Sequence, residues 1–401
     1  MTVSAAGPLD GIRVIDCATL FAGPLAATIL GDYGADVIKV EHPTGEGMRS
    51  MTTTPEGYSL WWAFVARNKR CVTLKLSDSE GAQVMRELIE GADVLIENFR
   101  PGTLEKWGLG PEVLHQINPG LVITRVTGFG QTGPYSQRPG YGTLAEAMSG
   151  FAYVNGWPDK PPSLPPFALG DGIAAMATVS ATMFALWWRD MGAGAGRGQV
   201  VDMSIYEPLF WINGPQVSIY EKLGEIPIRQ GNQVPHTVPR NVYQTSDGHW
   251  VALSASTPNV SNRVAKIIGR PDLLEQPWYG THSGRVEHRD EVDTLVSDWI
   301  GARTRDEVLS KFDEGNGAIA AVYSVADIAK DPHYQYRESF TTVMHEEHGP
   351  ITMQNLIARL ESSPGEVRFP GAALGQHNNE VYSALGISPE RIAALAKAEV
   401  I

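Results

Sequence analysis

The sequence predicts an α/β fold: an open, mostly parallel sheet covered by helices on both faces, followed by a smaller α+β domain. Short β-branched runs alternate with helical patterns through the first half, the pattern changes beyond residue 190, and Pro, Gly and Asn crowd the stretch "GEIPIRQGNQVPHTVPRN". "GIRVIDCA" (11–18) reads as a strand, "GPLAATILGDYGA" (23–35) as a helix closed by a glycine, and "DVIKVEHP" (36–43) as the next strand. Together they make one strand-helix-strand unit. Residues 44–66 read as a loop. "CVTLKL" (71–76) has strand character, and "SDSEGAQVMRELIEGA" (77–92) is an amphipathic helix capped at Ser77, three residues before Glu80. "DVLIENF" (93–99) and "GLVITRVTGFG" (120–130) add two strands, separated by the helix-like "TLEKWGLGPEVLHQIN".

The longest weakly charged run is "GIAAMATVSATMFALWW" (172–188), at the lower limit of a membrane span and rich in Ala, Ser and Thr. A helix buried inside the protein is the expectation, with Asp171 in its first turn, facing the positive end of the helix dipole. "QVVDMSI" then reads as a strand, residues 215–235 as a linker, and "VYQTSDGHWVALSAS" as a hairpin turning at Asp247-Gly248. Helical patterns continue to about residue 320. The tail, with "ITMQNLIARL", "LGQHNNEVYSALG" and "SPERIAALAKAEVI", is a candidate to pack back on the first domain. No repeat or low-complexity tract appears.

Composition narrows the function. With 401 residues there is ample material for a buried core, and 43% hydrophobic against 19% charged residues is a globular balance. A formal charge of -13 argues against a general binder of nucleic acid or anionic membranes, although a local basic pocket remains compatible with it. Two cysteines, Cys17 and Cys71, suggest a reducing compartment, and "MTVSAAGPLDG" lacks the basic-then-apolar pattern of a signal peptide. A cytoplasmic location is the expectation.

Parallel sheets bind ligands beyond the carboxyl ends of their strands, which singles out the loops "DCATLFAGP", "KVEHPTGEGMRS", "ENFRPGTLEKWG" and "TGFGQTGPYSQRPGYG". The first lacks the G-x-G-x-x-G spacing of a dinucleotide site. Lys39, Arg49, Arg67, Lys69, Arg70, Arg100 and Lys106 supply positive charge for a phosphorylated ligand, or are ordinary solvated surface cations. His345 and His348 in "MHEEHGP" approach ligand spacing, yet their setting is that of an exposed turn, and no metal site is expected. Asp171 lies between Gly170 and Gly172. It suits either a helix N-cap or a carboxylate nucleophile that the flanking glycines leave open to a large electrophile.

Several stretches in order carry a stronger signal: "PLDGIRVIDCATLFAGP", "LGDYGADVIKVEHP", "RNKRCVTLKL", "ADVLIENFRPG", "YGTLAEAMSG", "LGDG" and "GRGQVVDMSIYE". Through them the sequence resembles the class III coenzyme A transferases, which include crotonobetainyl-CoA:carnitine CoA-transferase, formyl-CoA transferase and, more distantly, α-methylacyl-CoA racemase. The likeness covers most of residues 8–207 and weakens toward the C-terminus. It implies that Asp171 is the catalytic aspartate. Its carboxylate would attack an acyl-CoA thioester to give an aspartyl anhydride, then an aspartyl-CoA thioester from which CoA passes to an acceptor acid. Amides beside it, those of Gly170 and Gly172, would stabilise the tetrahedral oxyanions.

The resemblance further implies a coenzyme site. Leu20, Phe21 and Ala22 would lie along the pantetheine or adenine path, Leu74, Asn98, Phe99 and Arg100 would line the pocket, Lys106 would meet a CoA phosphate, and Tyr141 would lie near the thioester. His42 stands where some relatives place an arginine, and "GNQVPHTVPRN" where formyl-CoA transferase has a glycine-rich loop, which counts against formyl or oxalate specificity. CoA enters as substrate, with no tightly bound cofactor. The implied architecture is a Rossmann-like large domain, 1–220 with 325–401, and a small domain, 225–325, in an interlocked homodimer. Two other readings share the scaffold: a 2-methylacyl-CoA racemase, disfavoured because Tyr141 stands where the racemases supply a histidine, and an idle CoA-binding protein. Gln131, Tyr135, Arg138 and Tyr141 are candidates to orient a second carboxylate, and Trp61, Trp62 and Phe64 either cover an acyl chain or ring or, as expected, belong to the core.

Overall fold

The computed structural model describes residues 7–401; the signal-peptide reading of the first six residues lies outside them. The chain divides into two compact units. One holds the described residues up to Phe151 with Leu164–Pro215 and Tyr336–Ile401; the other holds Ala152–Ser163 and Gln216–Gln335.

In the first unit, β1 (Arg13–Asp16), α1 (Ala22–Asp32), β2 (Asp36–Glu41), α2 (Leu60–Val65), β3 (Lys69–Thr73), α3 (Ser79–Glu90) and β4 (Val94–Glu97) follow in sequence. Then come α4 (Thr103–Lys106), α5 (Pro111–Ile117), β5 (Val122–Thr127), α6 (Gly142–Met148), the four-residue α7 (Phe151–Val154), of which only Phe151 belongs to this unit, α8 (Leu169–Asp190), β6 (Val200–Ser204) and α9 (Tyr206–Ile212). The six strands form one parallel sheet in the order β3-β2-β1-β4-β5-β6. Chain direction across the sheet reverses between β1 and β4, and such a switch point opens a crevice at the carboxyl ends of those strands.

Alternation along each strand builds two cores. Ile15, Ile38, Leu95 and Ile123 join one cluster with Val84, Met85 and Leu88 of α3. Their sequence neighbours Val14, Val37, Val94 and Val122 join another with Ala26, Ala27 and Leu30 of α1 and Ala175, Ala185 and Leu186 of α8. Successive side chains of a strand point to opposite faces, so a strand buried on both reads as a continuous apolar run. The tail adds to this unit. Val381, Tyr382, Ile392 and Leu395 complete the α3 cluster, and Tyr382 Oη donates to the Thr73 carbonyl at 2.6 Å.

Several expectations are corrected. The 44–66 loop contains α2, whose N-cap Ser59 accepts from the Trp62 N–H; Trp62 is buried, and Trp61 and Phe64 pack on the same cluster. The cap of α3 is Asp78, which accepts from Glu80 N, rather than Ser77. "TLEKWGLGPEVLHQIN" is two short helices, broken where Gly108 takes a positive φ. The 215–235 linker contains α10 (Gln216–Leu223). Helix α8 is long and apolar enough to cross a membrane by length and composition, yet it is not buried all round. Ala174, Ala175, Thr178, Thr182 and Ala185 face the core, while Phe184 (73%) and Trp187 (66%) are exposed on the other side.

The second unit is built on the antiparallel sheet β7 (Arg240–Gln244), β8 (Trp250–Ser254) and β9 (Ile319–Ala321), with the expected turn at Asp247-Gly248, where Gly248 takes a φ of 81°. Helices α11 (Pro258–Ile267), α12 (His282–Glu287), α13 (Arg289–Gly301) and α14 (Arg305–Glu314) are interleaved with the sheet, and Val264, Val296, Ile300 and Phe312 fill its core.

The basic residues of the first half have neither expected role, phosphate ligand or free surface cation, in most cases. Arg49 pairs with Glu41 at 2.7 Å, Arg67 with Asp32 at 2.6 Å and Arg70 with Asp36 at 2.7 Å. Lys39 and Lys69 are fully buried around Asp16: Lys69 Nζ is 2.8 Å from Asp16 Oδ2, and Lys39 Nζ lies 3.8 Å from both Asp16 and Glu46. Burial opposes the charge on Lys39, but Asp16, Glu46 and Glu41 outweigh it and hold the ammonium above its ordinary value. For Lys69 burial wins over the Asp16 attraction and lowers it. Removing one member of such a cluster strands the rest without compensation. Asp16→Ala is expected to cost ~3–5 kcal/mol of stability, read as a lower urea midpoint at pH 7, with Asp16→Asn intermediate.

Candidate active site

The crevice at the switch point is lined by Leu20, Phe21 and Ala22 after β1, by Asn98, Phe99 and Arg100 after β4, by Thr127 and Gly128 at the end of β5, by Arg138 and Tyr141, and by Asp171. The structure therefore brings seven of the residues expected at the coenzyme, and Asp171, around one cavity. His42 and Leu74 line a neighbouring pocket that shares Thr19 and Phe99 with the first and includes Lys39, Glu46 and Trp107. Lys106 is exposed on α4 and lines neither; its neighbour Glu105 pairs with Arg125 at 2.7 Å. Among the described residues, neither Arg100 nor Lys106 has a salt-bridge partner.

Local hydrogen bonds fix the loop between β1 and α1. Asn98 spends its side chain on Thr19, accepting from its N–H at 2.8 Å and donating to its carbonyl at 2.7 Å. The Leu20 N–H donates to Glu46 Oε2 at 3.1 Å, and Leu20 holds a φ of 65°, a region that disfavours residues with a Cβ. Asn98 thus shapes the crevice wall, with its polar atoms already engaged.

Asp171 is the third residue of α8. The N-cap reading is corrected: the cap position is Ala168, and no side chain caps the helix. The carboxylate turns instead toward Gly142, the first residue of α6. A Cβ on Gly142 would come within 2.3 Å of Asp171 Oδ2, and one on Gly170 within 2.9 Å of the Gly142 carbonyl oxygen, so two glycines let the two helix starts touch. Burial, then the charge of Glu146, push the Asp171 carboxyl up to about 6 from 3.8, against the polarity of the Gly142 N–H. Glu146 is 2% exposed, and its Oε1 accepts the Gly170 N–H at 3.0 Å. The Gly172 N–H donates to the Ala168 carbonyl at 2.9 Å. The oxyanion expectation for Gly170 and Gly172 is corrected accordingly, because both amides already have acceptors.

Of the candidates for a second carboxylate, Arg138 and Tyr141 line the crevice, while Gln131 and Tyr135 do not. The Gln131 N–H donates to Asp202, and the Arg138 guanidinium lies 3.7 Å over the Tyr135 ring. His345 and His348 sit at a hairpin turn against Tyr58, their rings 4.7 Å apart, with His345 Nδ1 accepting the N–H groups of Glu347 and His348. Among the described residues, no group of three or more His, Cys, Asp or Glu side chains could hold a metal ion. "GNQVPHTVPRN" lies in the second unit. Sequence reading missed Gly142, Glu146 and Thr127. The first two stand in "YGTLAEA", where Glu146 follows Gly142 by one helical turn.

The raised Asp171 carboxyl has a thermodynamic consequence with a definite sign. The native state holds this proton more tightly than the unfolded chain, so stability falls as pH rises from 3.8 through 6, and the deficit is complete above 6. Asp171→Asn is expected to raise the melting temperature at pH 8 by roughly 1–3 °C. The gain should shrink as pH falls through 6, which differential scanning calorimetry across pH 5–8 measures.

Comparison with known proteins bears on this crevice. The model of CoA-transferase family III matches residues 9–378. Succinyl-CoA–D-citramalate CoA-transferase of Chloroflexus aurantiacus is 40% identical over 397 residues, 98% of each chain. The beta subunit of succinyl-CoA–L-malate CoA-transferase from the same organism is 41% identical over 400 residues, again 98% of each. A crystal structure of a CAIB/BAIF family protein from Brucella suis superposes with a TM-score of 0.82 at 30% identity, covering 95% of this chain and 100% of that one. A family match across nearly the whole chain, joined to relatives 40% and 41% identical over 98% of each chain, settles the assignment: this chain belongs to CoA-transferase family III.

Proposed function

We propose that this protein moves coenzyme A from an acyl-CoA thioester to a carboxylic acid, with Asp171 as the nucleophile. The observation that carries this is the half-buried Asp171 carboxylate in a crevice lined by the loops that the family resemblance assigns to the coenzyme. An Asp171 oxygen attacks the thioester carbonyl carbon, the C–S bond breaks, and sulfur leaves with the electron pair as CoA thiolate, giving an aspartyl anhydride. The thiolate then attacks the aspartyl carbonyl and releases the donor acid as its carboxylate. The acceptor carboxylate reverses these two steps on the aspartyl-CoA thioester. Each exchange conserves the acyl energy, provided water is kept out. Leu20, Phe21, Ala22, Asn98, Phe99 and Tyr141 would flank the coenzyme, with His42 and Leu74 on its continuation into the second pocket. Arg100 and Lys106 are the unpaired cations for its phosphates.

A racemase needs an acid and a base across the α-carbon, and no histidine lines the crevice. Arg138 gives the reading its substrate class. An arginine with no salt-bridge partner among the described residues, in the same crevice as the nucleophile, suits the far carboxylate of a dicarboxylic acid. The C. aurantiacus relatives carry succinyl-CoA, citramalate and malate in their names. A homodimer is also proposed. Phe184, Trp187 and Trp211, the last 81% exposed, give α8 and α9 large apolar side chains without cover in one chain. A reducing, cytoplasmic setting fits the two buried free cysteines.

Incubation with acyl-CoA thioesters followed by hydroxylamine should place an adduct on Asp171, found by peptide mass spectrometry. In Asp171→Ala the adduct should be lost and exchange should fall by at least ~10³-fold; exchange at the parental rate would refute covalent catalysis. Arg138→Gln should raise KM for a dicarboxylic acceptor by roughly tenfold or more, as loss of a charge-assisted pair predicts, while a monocarboxylic acceptor is little affected.

A further inference from the structure

Glu146 is a buried carboxylate that the exchange chemistry leaves without a role. It projects from α6 into the junction with α8, accepts the amide next to the nucleophile, and is a like charge beside Asp171. Such an arrangement costs stability, since a buried carboxylate stands beside a half-buried one of like charge. Its geometry is suited to one task. An acceptor on the Gly170 N–H fixes the first turn of α8, and with it the direction in which Asp171 leaves the helix, while the contact through Gly142 prevents the carboxylate from swinging back.

We propose that Glu146 is a positioning residue for the transferase reaction: it braces the start of α8 through the Gly170 amide and keeps the Asp171 carboxylate a strong nucleophile by facing it with a like charge. The inference rests on the assignment of Asp171 as nucleophile and extends it. A more basic carboxylate attacks the thioester carbonyl more readily, and it is a poorer leaving group when the tetrahedral adduct divides between returning to thioester and expelling thiolate. The shift of Asp171 to about 6 is consistent with this, with burial the larger cause and Glu146 the second. Other ionisable groups in the crevice wall are Arg100, Arg138 and Tyr141, while β6 and α9, which pack against α8, carry Asp202, Tyr206 and Glu207. Asp202 and Glu207 are engaged elsewhere, with the Gln131 N–H and Ser204 Oγ.

The test separates charge from brace. Glu146→Gln keeps an oxygen for the Gly170 N–H and loses the charge; Glu146→Ala loses both; Glu146→Asp keeps the charge on a shorter arm. The readout is the pH profile of kcat/KM with succinyl-CoA and malate, alongside hydroxylamine trapping at Asp171. The parent's acid limb should lie near 6, and in Glu146→Gln it should move down toward 3.8 without reaching it, because burial persists. Glu146→Asp should keep its limb near the parent's while kcat falls, and Glu146→Ala should lose on the order of 10²-fold in kcat, as misplacement of a reacting group predicts. A limb unmoved in Glu146→Gln, with the Asp171 adduct still trapped in the parent, overturns the inference alone. A parent that forms no adduct at Asp171 overturns the nucleophile assignment and this inference with it. If Glu146→Gln does not fold, a limb in Glu146→Ala that matches the parent's overturns the inference equally.

Discussion

The close approach of α6 and α8, with Gly142 against Asp171, is the contact on which the site depends. No Cβ fits between Gly142 and the carboxylate, so the two helix starts meet backbone to side chain and the aspartate is held where water is scarce. The other properties of Asp171 follow from that distance. Burial raises the carboxyl, Glu146 reaches the Gly170 amide, and the first turn of α8 points its carboxylate into the crevice instead of capping its own helix. A wider separation would give a solvated aspartate of ordinary acidity, with a small driving force for attack on a thioester.

The opposite wall of the crevice is held by charge. The loop after β1 passes over a buried cluster in which Asp16 meets Lys39 and Lys69, and Glu46 meets both Lys39 and the Leu20 amide. Lys39 donates to the Ala18 carbonyl in that loop and Lys69 to the Pro24 carbonyl in the first turn of α1. A network of this kind is poor value as stability alone, because desolvation consumes much of the attraction. Here it fixes the one backbone segment that runs along the crevice in a left-handed conformation at Leu20, and Asn98 ties the same segment to β4. Preorganisation of the wall would limit the ordering needed when a ligand binds along it.

Fold and chemistry separate cleanly in this molecule. The strand order and its reversal point create a crevice that many α/β proteins share, and nothing in the sheet specifies an acid. Selectivity belongs to the side chains that loops deliver to it, among them Arg100 and Arg138 in the crevice wall. The apolar face of α8 and α9 serves neither the sheet nor the crevice, which is why a second copy of the chain is its proposed cover.

Local pattern and motif were enough to read the parallel sheet, the order of its strands along the chain and the family. Strand and helix periodicities are local, and the motif stretches lie in continuous segments that a reader can match in order. The family resemblance also named Leu20, Phe21, Ala22, Asn98, Phe99, Arg100 and Tyr141, and it is the fold that lines one crevice with them, since the loops after β1 and β4 leave the same edge of the sheet. Tertiary structure alone decided the rest. Whether Lys39, Lys69 and Arg67 are phosphate ligands or buried ion-pair partners depends on Asp16 and Asp32, tens of residues away in sequence. Whether Gly170 offers an amide depends on Glu146 in another helix, and whether α8 is wrapped or half exposed depends on what packs against each face. Such contacts join residues distant in sequence, and the pattern within any one segment carries no term for them.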